Sequence, residues 1–424
     1  MEFSHPIAID PTGRDIQGEA ARIRARGPVT PVELPHGVPA WAVSSPTLLR
    51  RLLADPRVSK DARRHWPRWI DGEIKPEWPL FSWVAVQNMF TAYGDDHKRL
   101  RTLVSKAFTA RRTAALRPRV EEIASALLDR VAAAGADGQV VDLREEFCYP
   151  LPIQVIGELL GLPEEQGPEL RAVVDGVFHT SADPEQVADI YARFYAALRQ
   201  LVATKRESPG DDLTSALIAA HEGDGAGDEA TGAAHGSRLS EQELLDTLML
   251  MISAGHETTV NLLDNAVHAL LTDPEQLALV RAGRASWDDV IEETLRVHAP
   301  VASLPLRYAV TDLSLGELGG PEGAVIREGE AILAAYAAAG RDPEHHGEDA
   351  EVFDVTRTDK DHLAFGHGVH HCLGAPLGRL EARVALPALF ARFPGLTLAV
   401  APGSLEPVDS FISNGHTALP VRLG

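Results

Sequence analysis

The feature that most constrains the fold is a long apolar segment in the second half of the chain. Ser240, with Glu243 three residues later, matches a capping box, and Thr-Asp-Pro at 272–274 ends the segment. We therefore predict one helix over residues 241–271, ~46 Å long at 1.5 Å per residue. Seven of the nine residues at 244–252 are apolar, which leaves almost no polar face and is typical of a buried helix. Such a helix could cross a whole domain.

Polar residues interrupt the middle of this helix, where residues 256–259 are His-Glu-Thr-Thr. A purely structural explanation exists for Thr258, because its hydroxyl can donate to the carbonyl of Ala254 and bend the helix. The carboxylate of Glu257 is harder to explain, since an unpaired buried charge is costly and such groups cluster at active sites. An acid beside a hydroxyl is suited to proton delivery. We therefore take Glu257 and Thr258 as candidate catalytic residues.

A glycine-rich turn at residues 365–374 presents Cys372 just before a helical stretch that starts near Gly374. Gly368 and Gly374 permit tight or left-handed backbone, so several N–H groups can point at one sulfur. The N-terminus of the following helix stabilises negative charge there. This geometry suits a thiolate bound to iron. Two alternatives remain open at this point: an inert structural thiol, and a zinc site, although its spacing is crowded. The zinc ligands would be His367, His370, His371 and Cys372.

Three motifs together resemble the signatures of the cytochrome P450 superfamily. The turn fits Phe-x-x-Gly-x-His-x-Cys-x-Gly, and the long helix carries Ala-Gly-His-Glu-Thr at 254–258. Between them lies Glu-x-x-Arg, at Glu293 and Arg296, in a helix that Ser286 caps and Pro300 ends. The motifs occur in the family's order, and the resemblance extends from about residue 8 to the C-terminus. The first motif is formed by Phe365, Gly368, His370, Cys372 and Gly374.

The resemblance implies a mainly α fold with a small β-rich region, and haem b (iron protoporphyrin IX) between the long helix and the cysteine turn. Because the three motifs share one site, residues 1–424 are expected to form a single domain. The stretch at about 221–238 is rich in Gly and low in apolar residues, so we expect a mobile surface loop there. In this fold Cys372 ligates the iron, and the thiolate favours cleavage of the O–O bond. Thr258 supports proton-delivering hydrogen bonds and Glu257 relays protons from solvent. The implied haem-binding residues are His97, Arg101, Ala254, Gly255, Arg307, Phe365, Gly366, His370, Cys372 and Gly374.

The resemblance also implies structural and substrate-binding positions. Glu293 and Arg296 would form a buried pair, joined by Arg357, that holds the loop on the haem side. The substrate would contact apolar residues whose alternative role is core packing. These residues are Met89, Met249, Ala254, Val301, Leu304, Phe411 and Ile412.

Composition agrees with this interpretation. The net charge of −21 argues against nonspecific binding to nucleic acid or to anionic membranes. Only two cysteines occur, Cys148 and Cys372, so a disulfide within the chain is impossible if Cys372 binds iron, as expected in a reducing cytosol. The first residues lack the apolar core of a signal peptide or an anchor. We therefore expect a cytoplasmic protein with no membrane contact. Strands are expected at 40–43, at 307–315 and in the C-terminal tail.

The implied activity is that of an actinobacterial-type monooxygenase. It would use O2 to hydroxylate a bulky lipophilic molecule such as a steroid, a macrolide or another secondary metabolite. No Gly-x-Gly-x-x-Gly lies between a strand and a helix, so ferredoxin and ferredoxin reductase are the expected electron donors. Two alternatives are a peroxide-driven peroxygenase, which would not need Glu257 and Thr258, and a haem-binding sensor or carrier without enzymatic activity.

Overall fold

A computed structural model describes residues 5–108, 110–162, 176–178, 180, 184–222 and 238–424. The loop predicted at 221–238 lies outside these residues, except for its first two positions and its last. Within the described part of the chain, no helix combines the length and the apolar character that crossing a bilayer requires.

Helices dominate the described secondary structure. The α-helices are α1 (Ile16–Ala25), α2 (Pro46–Ala54), α3 (Ala62–His65), α4 (Pro67–Ile70), α5 (Phe81–Ala85), α6 (Gly94–Ala107), α7 (Ala110–Ala115), α8 (Arg117–Ala134), α9 (Pro150–Leu160), α10 (Pro184–Glu207), α11 (Leu213–Glu222), α12 (Glu241–Thr272), α13 (Pro274–Arg281), α14 (Trp287–Val297), α15 (Tyr336–Ala339), α16 (Pro343–His346) and α17 (Ala375–Arg392). A short π-helix at Arg144–Cys148 precedes α9.

The strands are short. They are β1 (Ile7–Ala8), β2 (Val29–Leu34), β3 (Val38–Val43), β4 (Val58–Ser59), β5 (Val141–Asp142), β6 (Leu304–Ala309), β7 (Leu313–Ser314), β8 (Val325–Ile326), β9 (Ala331–Ala334), β10 (Thr397–Leu398) and β11 (Pro420–Arg422). The largest sheet has the order β1-β2-β3-β9-β6-β4, and two small sheets have the orders β10-β11-β5 and β7-β8. The predicted mainly helical class with a small β-rich region is confirmed.

The long helix is α12; its predicted start is confirmed, and it ends at Thr272, one residue later than predicted. The Ser240 hydroxyl accepts from the N–H of Glu243, and the Glu243 carboxylate accepts from the N–H of Ser240, so both halves of the capping box form. Most of α12 is buried, and it packs against α9, α14 and α17. Ser286 and Asp289 form a second capping box at the start of α14. The middle of α12 is thereby fixed inside the helical layers.

The large sheet supplies the other side of the molecule. Strands β2 and β3 pair antiparallel, β9 joins β3 in parallel, and β6 pairs antiparallel with β9. The register between β6 and β9 is irregular between Leu304 and Arg307, a feature that can redirect a side chain. The strand predicted at 40–43 lies within β3, and the tail forms β11. The single strand predicted at 307–315 is wrong, because β6 ends at Ala309 and β7 is a separate short strand.

Candidate functional site

An open cavity lies between α12, the cysteine turn and β6. Its wall is mostly apolar, and α12 contributes its middle residues. Most of the predicted site residues therefore come together around one space. Those that line it are Met89, Arg101, Ala254, Gly255, Thr258, Val301, Leu304, Arg307, Phe365, Gly366, His370, Cys372 and Gly374.

The turn that carries Cys372 has a specific backbone shape. Gly366 and Gly368 adopt positive φ angles of 69° and 71°, a conformation that glycine reaches at little cost. A Cβ at Gly368 would also lie 2.5 Å from the carbonyl oxygen of Leu53 in α2, so no side chain fits there. Gly374 is the N-cap of α17 with a φ of −79°. Of the two backbone shapes that the sequence allowed at this glycine, tight or left-handed, it adopts the tight turn.

Cys372 is accessible from the cavity but sits deep in the protein. Its N–H donates to the carbonyl oxygen of Phe365 at 2.8 Å. Burial raises the pKa of the Cys372 thiol, while N–H groups of Gly374 and Ala375 and the charges of Arg101 and Arg379 oppose that rise. The same groups would stabilise the thiolate that forms when the sulfur loses its proton and binds a metal ion.

The zinc alternative finds no geometric support. Among the residues that the structure describes, no group of three or more His, Cys, Asp or Glu side chains is placed to hold a metal ion. The His370 ring packs against His97, with ring centroids 4.1 Å apart, and the His371 ring is tilted towards Phe365, with ring centroids 6.5 Å apart. The histidines of the turn therefore do not converge on the Cys372 sulfur.

The middle of α12 opens towards the cavity at Ala254 and Thr258. The Thr258 hydroxyl donates to the carbonyl oxygen of Ala254 at 2.7 Å, as the back-bonding pattern predicts. Gly255 also lines the cavity, and a Cβ at this position would come within 2.8 Å of the Ile156 side chain in α9. Small residues thus keep α12 close to α9 and leave space beside the Thr258 hydroxyl.

Glu257 does not line the cavity but lies in a buried polar network behind α12. Its Oε1 accepts from Arg144 Nη2 at 3.2 Å, Asn261 Nδ2 at 3.1 Å and Ser413 Oγ at 3.0 Å. Arg144 Nη1 lies 3.6 Å from Asp264 Oδ2, which also accepts from His416 Nδ1 at 2.9 Å. Glu257 is thus held as a charged partner of Arg144, one residue away from the hydroxyl that faces the cavity.

Basic side chains gather at one end of the cavity. Arg101 and Arg307 line it, and His97 contacts the lining residue His370. Burial and the nearby charge of Arg101 lower the pKa of His97 to about 4. Burial, followed by the charge of Arg307, lowers the pKa of His370 well below its ordinary value. The lowered pKa values keep the two histidines neutral near pH 7, and the two arginines carry the positive charge, so an anion at this end would be stabilised.

The cavity fits a haem in three respects. A thiol lies in its wall, the wall is largely apolar, and buried donors at one end have no hydrogen-bond partner within the described residues. The unpaired atoms are His97 Nε2 and Arg307 Nη1, and an unpaired buried donor is costly. Two propionates would supply acceptors for them. His97, Arg101, Arg307 and His370 could hold the propionates, and Cys372 the iron.

The Glu-x-x-Arg pair forms behind the cysteine turn. Glu293 and Arg296 are fully buried, with Arg296 Nη2 2.6 Å from Glu293 Oε1. Arg357 Nε lies 3.4 Å from the same oxygen, and Asp354 N donates to it at 3.0 Å. Arg296 also donates to three backbone carbonyls of the segment at 340–352. The pair therefore ties α14 to the segment that leads into the turn.

The structure places three of the predicted substrate residues away from the cavity wall. Met249 packs in an apolar cluster with α10 and α11 residues, whereas Leu250 and Met251 line the cavity. Phe411 and Ile412 are buried in the cluster beside the large sheet, where the Ile412 carbonyl accepts from the N–H of Ala302. Leu250 and Met251 share a helical face with Ala254, being four and three residues before it, so helical spacing could have identified them.

The sequence analysis did not identify the buried ionisable residues Lys60, Glu381 and Arg144. Lys60 and Glu381 line the cavity, and Arg144 pairs with Glu257. Burial raises the pKa of the Glu381 carboxyl well above its ordinary value. Glu381 could have been noticed on α17, which is otherwise apolar at the buried positions nearby. No local pattern marks Lys60 or Arg144, since each lies in an irregular or π-helical segment.

Comparison with known proteins gives the family. Residues 287–403 match the family model for cytochrome P450. The chain is 44% identical over 418 residues to 2-hydroxy-5-methyl-1-naphthoate 7-hydroxylase of Streptomyces carzinostaticus, covering 99% of this chain and 97% of that protein. It is 41% identical to the cytochrome P450 monooxygenase PikC of Streptomyces venezuelae, covering 95% and 89%.

A solved structure agrees with these relatives. CYP154A1 from Streptomyces coelicolor A3(2) has a TM-score of 0.90 and 54% identity, covering 99% of this chain and 100% of that one. Similarity at this level extends over the whole fold, including the helix, the pair and the turn described above. The chain therefore belongs to the cytochrome P450 family and is a haem-thiolate monooxygenase.

Proposed function

We propose that this enzyme hydroxylates a bulky lipophilic small molecule, of steroid, macrolide or other secondary-metabolite type, within the cavity beside α12. The observation that supports this most strongly is the presence of Cys372 and Thr258 in the wall of one largely apolar cavity. Elements of both the helical layers and the large sheet build this cavity, which favours a single functional domain over residues 1–424.

In this proposal Cys372 is the protein ligand of the iron, and His97, Arg101, Arg307 and His370 bind the propionates. When bound, the haem supplies the iron at which dioxygen is activated, so that one oxygen atom enters a C–H bond and the other leaves as water. The reaction needs two electrons and two protons. The chain's own residues position the substrate, hold the cofactor and deliver the protons.

Thr258 and Glu257 are the proposed proton-delivering residues. A hydroxyl can donate and accept at once, so Thr258 can accept from a water while it donates to Ala254. Glu257, the residue before Thr258 on α12, is charged and is held in place by Arg144. Protons would reach the cavity from the Glu257 side of α12, and the Thr258 hydroxyl would pass them on.

The apolar composition of the cavity wall and the names of related proteins support the proposed substrate class. The wall includes the flexible side chains of Met89 and Met251 as well as Leu250, Val301 and Leu304, which suits a large apolar ligand. Relatives at 37% identity are named vitamin D(3) 25-hydroxylase and 6-deoxyerythronolide B hydroxylase, and the 44% relative is named for a naphthoate. These names cover a sterol-like, a macrolactone and an aromatic substrate.

A ferredoxin with its reductase is the proposed electron donor, acting in the cytoplasm. Lys98 is exposed on α6, whereas Arg379 is engaged by Glu292 and Arg112 lies 3.4 Å from Asp211. If a basic surface near α6 binds the donor, reduction by an acidic ferredoxin should slow as salt rises, since the Debye length falls from ~10 Å at 0.1 M to ~3 Å at 1 M. Stopped-flow reduction with Lys98→Glu tests the surface.

The proposal is tested by the absorption spectrum of the reduced, CO-bound protein and by turnover. Wild type should give the thiolate-type spectrum and form hydroxylated product from a panel of steroids and macrolactones with ferredoxin, reductase and NAD(P)H. Cys372→Ala and Cys372→His should abolish both, because no other soft ligand lies in the turn. Full turnover by Cys372→Ala would refute the ligand assignment. Product formation with peroxide but not with ferredoxin, reductase and NAD(P)H would favour a peroxygenase over a monooxygenase.

A further inference from the structure

A buried lysine, Lys60, faces the cavity. It follows β4, is only 3% exposed and belongs to the cavity wall. Its Nζ lies 3.4 Å from the carbonyl oxygen of Leu306, which is longer than a typical N–H···O hydrogen bond. The same atom lies 3.7 Å from the centroid of the Phe90 ring, within the range of a cation–π contact. Neither contact supplies a negative charge.

Lys60 has no counter-charge among the described residues. No carboxylate there forms an ion pair with Lys60, Arg101 or Arg307. Burial and the positive charge of Arg307 lower the pKa of Lys60 well below its ordinary value, and no acid offsets them. The buried carboxyl of Glu381 also lines the cavity, but it does not raise the pKa of Lys60. A buried ammonium without a partner is costly, so this position favours a ligand that supplies the missing charge.

The number of cations exceeds what the propionates need. In the proposed function, Arg101 and Arg307 match the two propionates of haem b one for one. Lys60 is then a third cation at the same end of the cavity. Its ammonium lies over Phe90, next to Met89, in the part of the wall that we assign to the substrate. Lys60 therefore stands between the propionate-binding arginine and the substrate-facing residues.

We propose that Lys60, beside Arg307, is a carboxylate-binding residue of the cavity. The carboxylate comes either from an acidic lipophilic substrate, whose charged end Lys60 would hold, or from a haem propionate. This inference rests on the proposed function for the contents of the cavity. It adds a charged group to the recognition of an otherwise apolar ligand, and it makes an acid a better ligand than its neutral ester.

The experiment compares Lys60→Met, which keeps the length but removes the charge, with Lys60→Arg, which keeps the charge. Lys75→Met, an exposed lysine before α5, is the matched control. Each holoenzyme is titrated with pyrenebutyrate and with its methyl ester, following the haem absorption shift. The rate of haem transfer to excess apomyoglobin and the thermal midpoint are measured in parallel. Lys60→Gln gives the same readouts should Lys60→Met not accumulate.

If the ligand is an acidic substrate, wild type and Lys60→Arg should bind the acid more tightly than the ester, and Lys60→Met should lose this preference by roughly 10- to 100-fold. If the ligand is a propionate, Lys60→Met should release haem at least about tenfold faster than wild type. The ratio of its affinities for the acid and the ester should then equal that of wild type. Lys60→Met that matches wild type in both measurements would overturn the inference. The thiolate-type CO spectrum of the same samples tests the proposed function separately.

Discussion

The Glu257 carboxylate and the Arg144 guanidinium form a buried ion pair, with 3.2 Å between Oε1 and Nη2. Arg144 lies in the π-helix at Arg144–Cys148, and Glu257 lies in the middle of α12. Asn261, one turn later on α12, and Ser413 donate to the same carboxylate oxygen, so three donors fix its position, two of them from outside the helix. The acid next to Thr258 is therefore positioned from behind the helix, on the side away from the cavity.

Arg144→Gln should impair both stability and coupling. Breaking a buried pair by removing one partner leaves an uncompensated charge and costs about 3–5 kcal/mol in the free energy of unfolding. The product formed per NAD(P)H consumed should also fall, because Glu257 is no longer held. The double variant Arg144→Gln/Glu257→Gln should recover stability without recovering coupling. Recovery of both in the double variant would remove Glu257 from proton delivery.

Thr258→Ala should leave haem and substrate binding nearly unchanged and divert electrons into hydrogen peroxide. The change removes a hydroxyl from the cavity wall but keeps the apolar helix, and proton-transfer steps typically contribute roughly 10²- to 10⁴-fold. Product and peroxide formed per NAD(P)H are the quantities to measure. Thr247→Ala is the matched control, since Thr247 is buried on the same helix outside the cavity wall. Equal coupling in the two variants would exclude the proposed role of Thr258.

Met89→Ala and Met249→Ala should distinguish a residue that contacts the ligand from a residue that only packs in the core. Met89 lines the cavity, so its truncation should weaken binding of the tightest ligand in a steroid and macrolactone panel by about tenfold. Met249 is buried in an apolar cluster, so its truncation should cost about 2–5 kcal/mol of stability and leave affinity unchanged. Spectral titrations and urea unfolding distinguish the two. A change of affinity in Met249→Ala alone would show that the ligand lies elsewhere.

Glu292 should make stability fall in acid. Burial alone would raise the pKa of this carboxyl, but hydrogen bonds from Arg379 and His362 outweigh it and lower the pKa to about 2, from an ordinary 4.5. A lowered carboxyl pKa gives stability that is present above pH 4.5 and is lost as the pH falls towards 2, with a ceiling of about 3 kcal/mol.

Urea midpoints measured in steps from pH 6 to pH 3 provide the test. Glu292→Gln should show a flatter dependence than wild type over the acid range, because the variant carries no group to protonate. Glu207→Gln, at an exposed site at the end of α10, should keep the wild-type slope. Parallel curves for wild type and Glu292→Gln would mean that Arg379 does not hold this carboxylate in solution.

The sequence predicted those parts of the fold that local chemistry determines. The capping box predicted at Ser240 and the N-terminal cap predicted at Ser286 both form, and the α12 boundaries agree within one residue. The cysteine turn, the Glu293–Arg296 pair and Thr258 could be located because each is a short motif with fixed spacing. Their functional roles stay predictions.

Other features depend on tertiary packing and could not be predicted in this way. The partner of Glu257 is Arg144, more than a hundred residues earlier in the chain, and no local pattern links them. Phe411 and Ile412 are apolar like true pocket residues, but packing beside the sheet removes them from the cavity. Lys60 is one cation among many in the sequence. Only its burial distinguishes it.

The close approach of Gly368 to Leu53 has a consequence for how this protein can evolve. No larger residue fits at Gly368, so substitutions at this position are excluded. Neighbours whose side chains point outward, such as Val369, which is 63% exposed, can be substituted. Selection can therefore rewrite the outer rim of the turn while its backbone stays constant. A lineage could therefore change the outer surface of the turn without altering the surroundings of the sulfur.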